Sequence, residues 1–182
     1  SLSVSTPGLY ILEGLNSSNG CSDTTGIQIS KQPLPDKILY SNQQPLCFGE
    51  TGTFVWEDGI GGTAPYTLEL NGKKVQLNYP VELTSGVYNM QLSDANGCNI
   101  LETLIINTVP DFAVDAGRDT VISLGASYVL QPETTLLHTN ISEIVWDPAN
   151  TLSCDNCLNP VATPETDTRY TITIYNTNGC VK

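Results

Sequence analysis

The sequence predicts an all-β protein built as tandem β-sandwich domains. Composition points this way, because Thr, Asn, Ser, Gly, Val, Ile and Tyr dominate while Lys, Arg and Met are scarce, a balance that favours strands and turns over helices. A repeat points the same way. Three segments, Leu9–Cys21, Val87–Cys98 and Arg169–Cys180, each read as an alternating strand opening near a Tyr, then a turn, then Asn-Gly-Cys. Short apolar runs separated by turn residues about every eight to twelve positions complete the pattern expected of a sandwich.

The repeat sets the domain size. Cys21 to Cys98 is 77 residues and Cys98 to Cys180 is 82, too long for a solenoid unit and right for a small β domain. Within each copy, period two puts Tyr88, Met90 and Leu92, or Tyr170, Ile172 and Ile174, on one strand face. Asn-Gly then tolerates positive φ and can close a tight turn. The first copy holds one extra residue between Tyr10 and Cys21, so a turn or bulge must differ there. Pro-containing stretches, Gln32–Asp36 and Thr108–Asp111, read as short linkers. The expected domains are therefore 1–36, the last hairpin of a domain; 37–108; and 109–182, a domain lacking its final strand.

Inside the second domain, strands are expected at Thr51–Glu57, Tyr66–Leu70, Lys73–Leu77, Pro80–Leu83, from Tyr88, and at Ile100–Ile106. A Gly-rich bend, Gly59–Pro65, follows the first, and Asn71-Gly72 makes a hairpin turn. In the third, strands are expected near Phe112–Val114, Thr120–Ser123, Ser127–Leu130, Glu143–Trp146, Val161–Thr163 and Arg169–Tyr175. Trp146 falls on a central strand, where a Trp belongs in the core.

Charge and chemistry narrow the function. The net charge of -12 excludes nucleic-acid binding by phosphate neutralisation and opposes anionic membrane surfaces. No apolar run approaches the roughly 18 residues a membrane span needs. Six cysteines in an all-β chain with one histidine read as disulfide-bearing and exported. His138 has no partner in a recognisable catalytic motif, no nucleophile elbow or zinc-protease motif occurs, and no helix follows Gly59-x-Gly61 to make a phosphate loop. The expectation is a protein that is not an enzyme. Cys154-Asp-Asn-Cys157 has the spacing of a redox couple or half a zinc site, but nothing helical follows to lower a thiol pKa and no second pair exists. It reads as a small disulfide-closed loop.

Gly61-Gly-Thr-Ala-Pro-Tyr66, Ser85-Gly-Val-Tyr88 and Asp94-Ala-Asn-Gly-Cys98 resemble the SprB repeat of Bacteroidota gliding adhesins, over residues 38–108. Asp115–Thr120, Trp146–Ala149 and Leu152–Ala162 look like the Ig/PKD-like unit that accompanies it. The resemblance implies tandem Ig-like/PKD-like β-sandwich domains, first and last incomplete. It also implies type IX secretion, display at the bacterial cell surface, and a stalk-like role in adhesion or gliding. The partners expected are neighbouring domains of the same long chain, and surface polysaccharide or other cell-surface proteins. An alternative function is a carbohydrate-binding or spacer module of a secreted hydrolase, which an exposed row of aromatics would favour.

Further expectations attach to single residues. The expected bridge is Cys47–Cys98, stabilising by roughly 4 kcal/mol through loop entropy if unstrained, although Cα separation is not legible in sequence. Cys21 is expected to pair upstream. Cys180 is expected to be unpaired, because Ser123 stands where the companion unit usually carries its partner Cys. Asp111, Asp115 and Asp119 are weak candidates for Ca²⁺ at a domain boundary. Thr24 and Thr120 match the lineage's O-glycosylation pattern, and Asn16 and Asn140 the N-glycan pattern, silent in a bacterium.

Overall fold

The computed structural model describes residues 3–182, and among these the chain is all-β apart from one 3-10 turn at His138–Asn140. The strands are β1 (Gly8–Leu15), β2 (Ser22–Ile29), β3 (Pro35–Gln43), β4 (Gly52–Gly61) and β5 (Thr67–Leu70). Next come β6 (Lys73–Val75), β7 (Pro80–Leu83), β8 (Gly86–Ser93), β9 (Asn99–Ile106) and β10 (Val114–Asp115). The last are β11 (Tyr128–Val129), β12 (Glu133–Thr134), β13 (Ile141–Asp147), β14 (Val161–Ala162) and β15 (Thr171–Asn176). Several separate sheets result: β1 with β2, β10 with β12, β11 with β14, β13 with β15, and the larger sheets β3-β4-β7 and β6-β5-β8-β9.

By its contacts the chain divides into two units, neither a single stretch of sequence. The first gathers the segment ending at Ser41 with Trp56–Tyr79 and Tyr88–Thr103. Its core comes from strand alternation. Leu68 and Leu70 on β5 stand directly opposite Leu92 and Met90 on β8, and Leu68, Met90 and Leu92 are sealed from solvent. Asn71 and Gly72, at φ 47° and 77°, close the β5–β6 hairpin as the sequence predicts, since two positive φ values match the twist of the paired strands. The β1–β2 hairpin runs in unbroken antiparallel register from Gly8↔Ile29 to Leu15↔Ser22. Leu9, Ile11, Leu12, Leu15 and Ile27 remain exposed on it.

The second unit gathers Asn42–Val55, Pro80–Val87 and Leu104–Lys182. Phe54 faces Val81 across β4–β7 and is fully buried. Gly52 is obligatory beside it, because a Cβ there would lie 2.7 Å from the Gln43 carbonyl oxygen. Trp146 on β13 pairs with Ile172 on β15, and with Ile174 they form a buried cluster roofed by Phe112, Val114, Leu130 and Leu152. The expected core position of Trp146 is thus the observed one.

Two local readings differ from the sequence expectation, and a third, left between a turn and a bulge, is decided. Residues 35–43 form β3, where the sequence predicts a linker through Asp36 and no strand after it. Pro35 is tolerated as the first residue of the strand, and Ile38 is buried. Thr120–Ser123 forms no strand: it has no ladder partner among the described residues, and Val121 is 99% exposed. The extra residue of the first repeat lies in the turn Asn16–Cys21 rather than in the strand, so Tyr10, Tyr88 and Tyr170 each stand six positions before the residue that opens the turn.

Candidate functional site

The three repeat turns are organised by an Asx side chain more than by Asn-Gly itself. In Asp94–Cys98, the Asp94 amide donates to the Cys98 carbonyl at 2.9 Å and the Gly97 amide to the Asp94 carbonyl at 3.0 Å. Asp94 Oδ1 accepts the amides of Asn96 and Cys98, both at 2.9 Å. Asn176–Cys180 repeats each bond: Asn176 amide to Cys180 carbonyl at 2.9 Å, Gly179 amide to Asn176 carbonyl at 3.0 Å, and Asn176 Oδ1 from Asn178 and Cys180 at 2.9 Å. The longer first turn divides the task. Asn16 Oδ1 accepts from Ser18, and Asn19 Oδ1 accepts from Cys21. A carboxylate or amide placed so can replace backbone partners in a turn.

The cysteines depart from expectation. Cys47 is joined to Cys180, with Cα atoms 5.5 Å apart, and Cys21 and Cys98 carry free thiols. The expected Cys47–Cys98 bridge and the unpaired Cys180 are therefore replaced. The reason lies in the loop after β3. Glu50 Oε2 accepts the amides of Leu46 and Cys47 at 3.2 and 2.9 Å, which folds the loop back on itself. Gln44 anchors its start, donating to the Ile105 carbonyl at 3.0 Å and accepting from Asn107 at 2.8 Å. Cys47 is thereby presented to the Asn176–Cys180 turn, and the Leu46 carbonyl lies 3.3 Å from the Cys180 sulfur. A disulfide needs Cα atoms within about 4.4–6.8 Å, a tertiary condition that no spacing reports. Phe48, Glu50, Asp111 and Lys182 line a cleft of about 300 Å³ beside the bridge.

Cys154 and Cys157 are bonded to each other. The loop they close serves the core. Cys157 offers its carbonyl to the Trp146 indole N–H at 3.0 Å, and Asp155 offers its carbonyl to the Trp146 amide at 2.8 Å. A buried indole N–H needs such a partner.

The remaining expected residues are dispersed. Asp111 pairs with Lys182 at 3.0 Å, Asp115 accepts the Gly117 amide, and Asp119 is exposed. No group of three or more His, Cys, Asp or Glu that could hold a metal exists among the described residues, so the Ca²⁺ candidates Asp111, Asp115 and Asp119 do not assemble. Thr24 lies exposed on β2, and Thr120 exposed in the strandless segment with its hydroxyl donating to the Arg118 carbonyl at 3.2 Å. His138 is exposed in the 3-10 turn. An open groove of about 830 Å³ is lined by Tyr128, Tyr170, Arg118, Arg169, Asp119 and Glu165, among others.

Among the described residues no helix is long and apolar enough to cross a membrane. No protein-family model and no curated protein sequence matches the chain.

The sequence signal for these turns is the Asx residue four positions before Cys98 and Cys180. Asp94 and Asn176 stand at the same place relative to Asn-Gly-Cys, and a side-chain acceptor there is a turn signal in its own right.

Proposed function

We propose that the chain is a non-catalytic segment of a large cell-surface adhesin, its tandem Ig-like/PKD-like β domains acting as a stalk in adhesion or gliding motility. One observation carries the reading. The same strand, Asx turn and Cys recur, with matching hydrogen bonds in the turns at Cys98 and Cys180. Such reuse of one local device along a chain is the mark of repeat architecture. The SprB-type motifs Gly61–Tyr66 and Asp94–Cys98 support it, and they come together physically, since Asp94 receives the amide of Thr63. Two disulfides fit an oxidising, extracellular location. The resemblance adds export by the type IX system to the bacterial surface, and neighbouring domains of a long chain as the first partners.

The test is antibody labelling of intact producing cells, paired with deletion of the parent gene. Surface labelling together with loss of attachment or gliding is the expected result. Labelling only after lysis, or unchanged attachment and gliding, overturns the reading.

A second reading, a glycan-binding module, is favoured by the groove that exposes Tyr128 beside Arg118, Arg169 and Glu165. Sugar rings stack on such a face while charged groups orient their hydroxyls. A glycan array probed with the chain, with Tyr128→Ala as control, decides it: binding lost in the variant supports this reading, and a blank array removes it.

A further inference from the structure

We propose that Cys98 is a disulfide-forming residue, and that its partner is a cysteine on a loop built like Gln44–Glu50 in another β unit of this kind. The inference goes beyond the adhesin reading and does not depend on it.

The chain contains its own comparison. Cys98 and Cys180 end turns with the same backbone and side-chain hydrogen bonds at matching distances. Both cysteines are half-buried. At one of the two turns the sulfur is bonded, to Cys47. At the other the thiol is free, and the neighbour it meets is the Gln32 side-chain amide at 3.6 Å. The site that is occupied at Cys180 therefore has a counterpart at Cys98.

The identity of the occupant follows from what occupies the first site. A Glu-folded loop presents its sulfur to the turn, and the loop's shape comes from its own residues, Glu50 closing onto Leu46 and Cys47. Such a presenter is preorganised. The one at Cys47 is already committed to Cys180. The other free thiol, Cys21, is a poor counterpart. It ends the longer turn, where Asn19 rather than the opening Asn caps its amide, and it is fully on the surface. Bond formation joins the two sulfurs, releases two protons and passes two electrons to a disulfide-bearing oxidant, which is reduced to a dithiol.

The test uses the 182-residue chain with its two disulfides intact and a peptide spanning Gln43–Thr51, its cysteine carried as a mixed disulfide with thiopyridine. Attack by a protein thiolate on the peptide sulfur expels thiopyridone and leaves the peptide attached, located by mass spectrometry. We expect attachment at Cys98 about tenfold faster than at Cys21, with the preference lost for a scrambled peptide. Simple accessibility gives the opposite order, because Cys21 is the more exposed. Equal or faster reaction at Cys21, or an unchanged preference with the scrambled peptide, overturns the proposal. On the native protein, thiol-blocked and mapped without reduction, a Cys98 bond to a cysteine of such a loop supports it. Unchanged chain mass then marks a partner in the same polypeptide, and doubled mass a second chain. A free Cys98, or a Cys21–Cys98 bond, sinks it.

Discussion

Asp94 Oδ2 accepts the amide of Thr63 at 3.1 Å while its Oδ1 holds the amides of Asn96 and Cys98. One buried carboxylate thus ties the Gly61–Thr63 bend to the repeat turn thirty-one positions away in sequence. Replacing it tests the bend and the turn together. Asp94→Asn keeps the Oδ1 acceptor but turns an amide donor toward the Thr63 N–H, and should cost about 1–3 kcal/mol. Asp94→Ala leaves all three amides without their partner and should cost more. Urea denaturation of the two variants against the parent reads both values, and an Asn variant as stable as the parent removes the tie.

Two glycines separate crowding from backbone conformation. Both have positive φ, Gly62 at 67° and Gly97 at 80°. A Cβ on Gly62 would lie 2.9 Å from Asp94 Oδ2 and 3.0 Å from the Pro35 nitrogen, whereas at Gly97 nothing lies within 4 Å. Gly97→Ala should therefore show the conformational cost alone, about 1 kcal/mol. Gly62→Ala should exceed it by a further 1–3 kcal/mol or so of overpacking. Equal shifts in thermal midpoint for the two variants contradict the crowding.

The Cys47–Cys180 bridge, with a sequence separation of 133, closes a long loop. Chain-entropy arguments set its ceiling at about 5 kcal/mol. The double variant Cys47→Ser with Cys180→Ser should lose a substantial part of that. The matching double variant at Cys154 and Cys157 closes a loop of separation 3 and should lose far less by the same logarithm. Denaturant midpoints of the two pairs rank them.

Trp146→Phe keeps most of the ring but abandons the Cys157 carbonyl that the indole N–H now satisfies. The expected loss is about 1–3 kcal/mol. Removing the Cys154–Cys157 bond should red-shift Trp146 emission as its cover loosens, which fluorescence after selective mutation of that pair can measure.

How much of this was legible in the sequence follows from the range over which each signal acts. The alternation Tyr88-x-Met90-x-Leu92 reports burial directly, because a strand's side chains alternate whatever lies beyond it, and Met90 and Leu92 are sealed. Asn71-Gly72 reports its turn for the same local reason. Thr120–Ser123 carries equally good strand residues but makes no ladder, since pairing needs a partner that local sequence cannot supply. β3 was hidden by Pro33 and Pro35, which read as a linker until Ile38 is seen in the core. The partner of Cys47 was the least legible feature, because six cysteines admit fifteen full pairings and only the fold selects among them.

The Cys47–Cys180 bond also sets a load path. A pull applied upstream of residue 47 and downstream of residue 180 passes through one covalent S–S link, and the residues between carry none of it. About 450 Å of contour length is thereby withheld from extension. A segment wired this way lengthens only outside the bridge, so even complete unfolding of the bridged residues leaves the tether nearly as short as before.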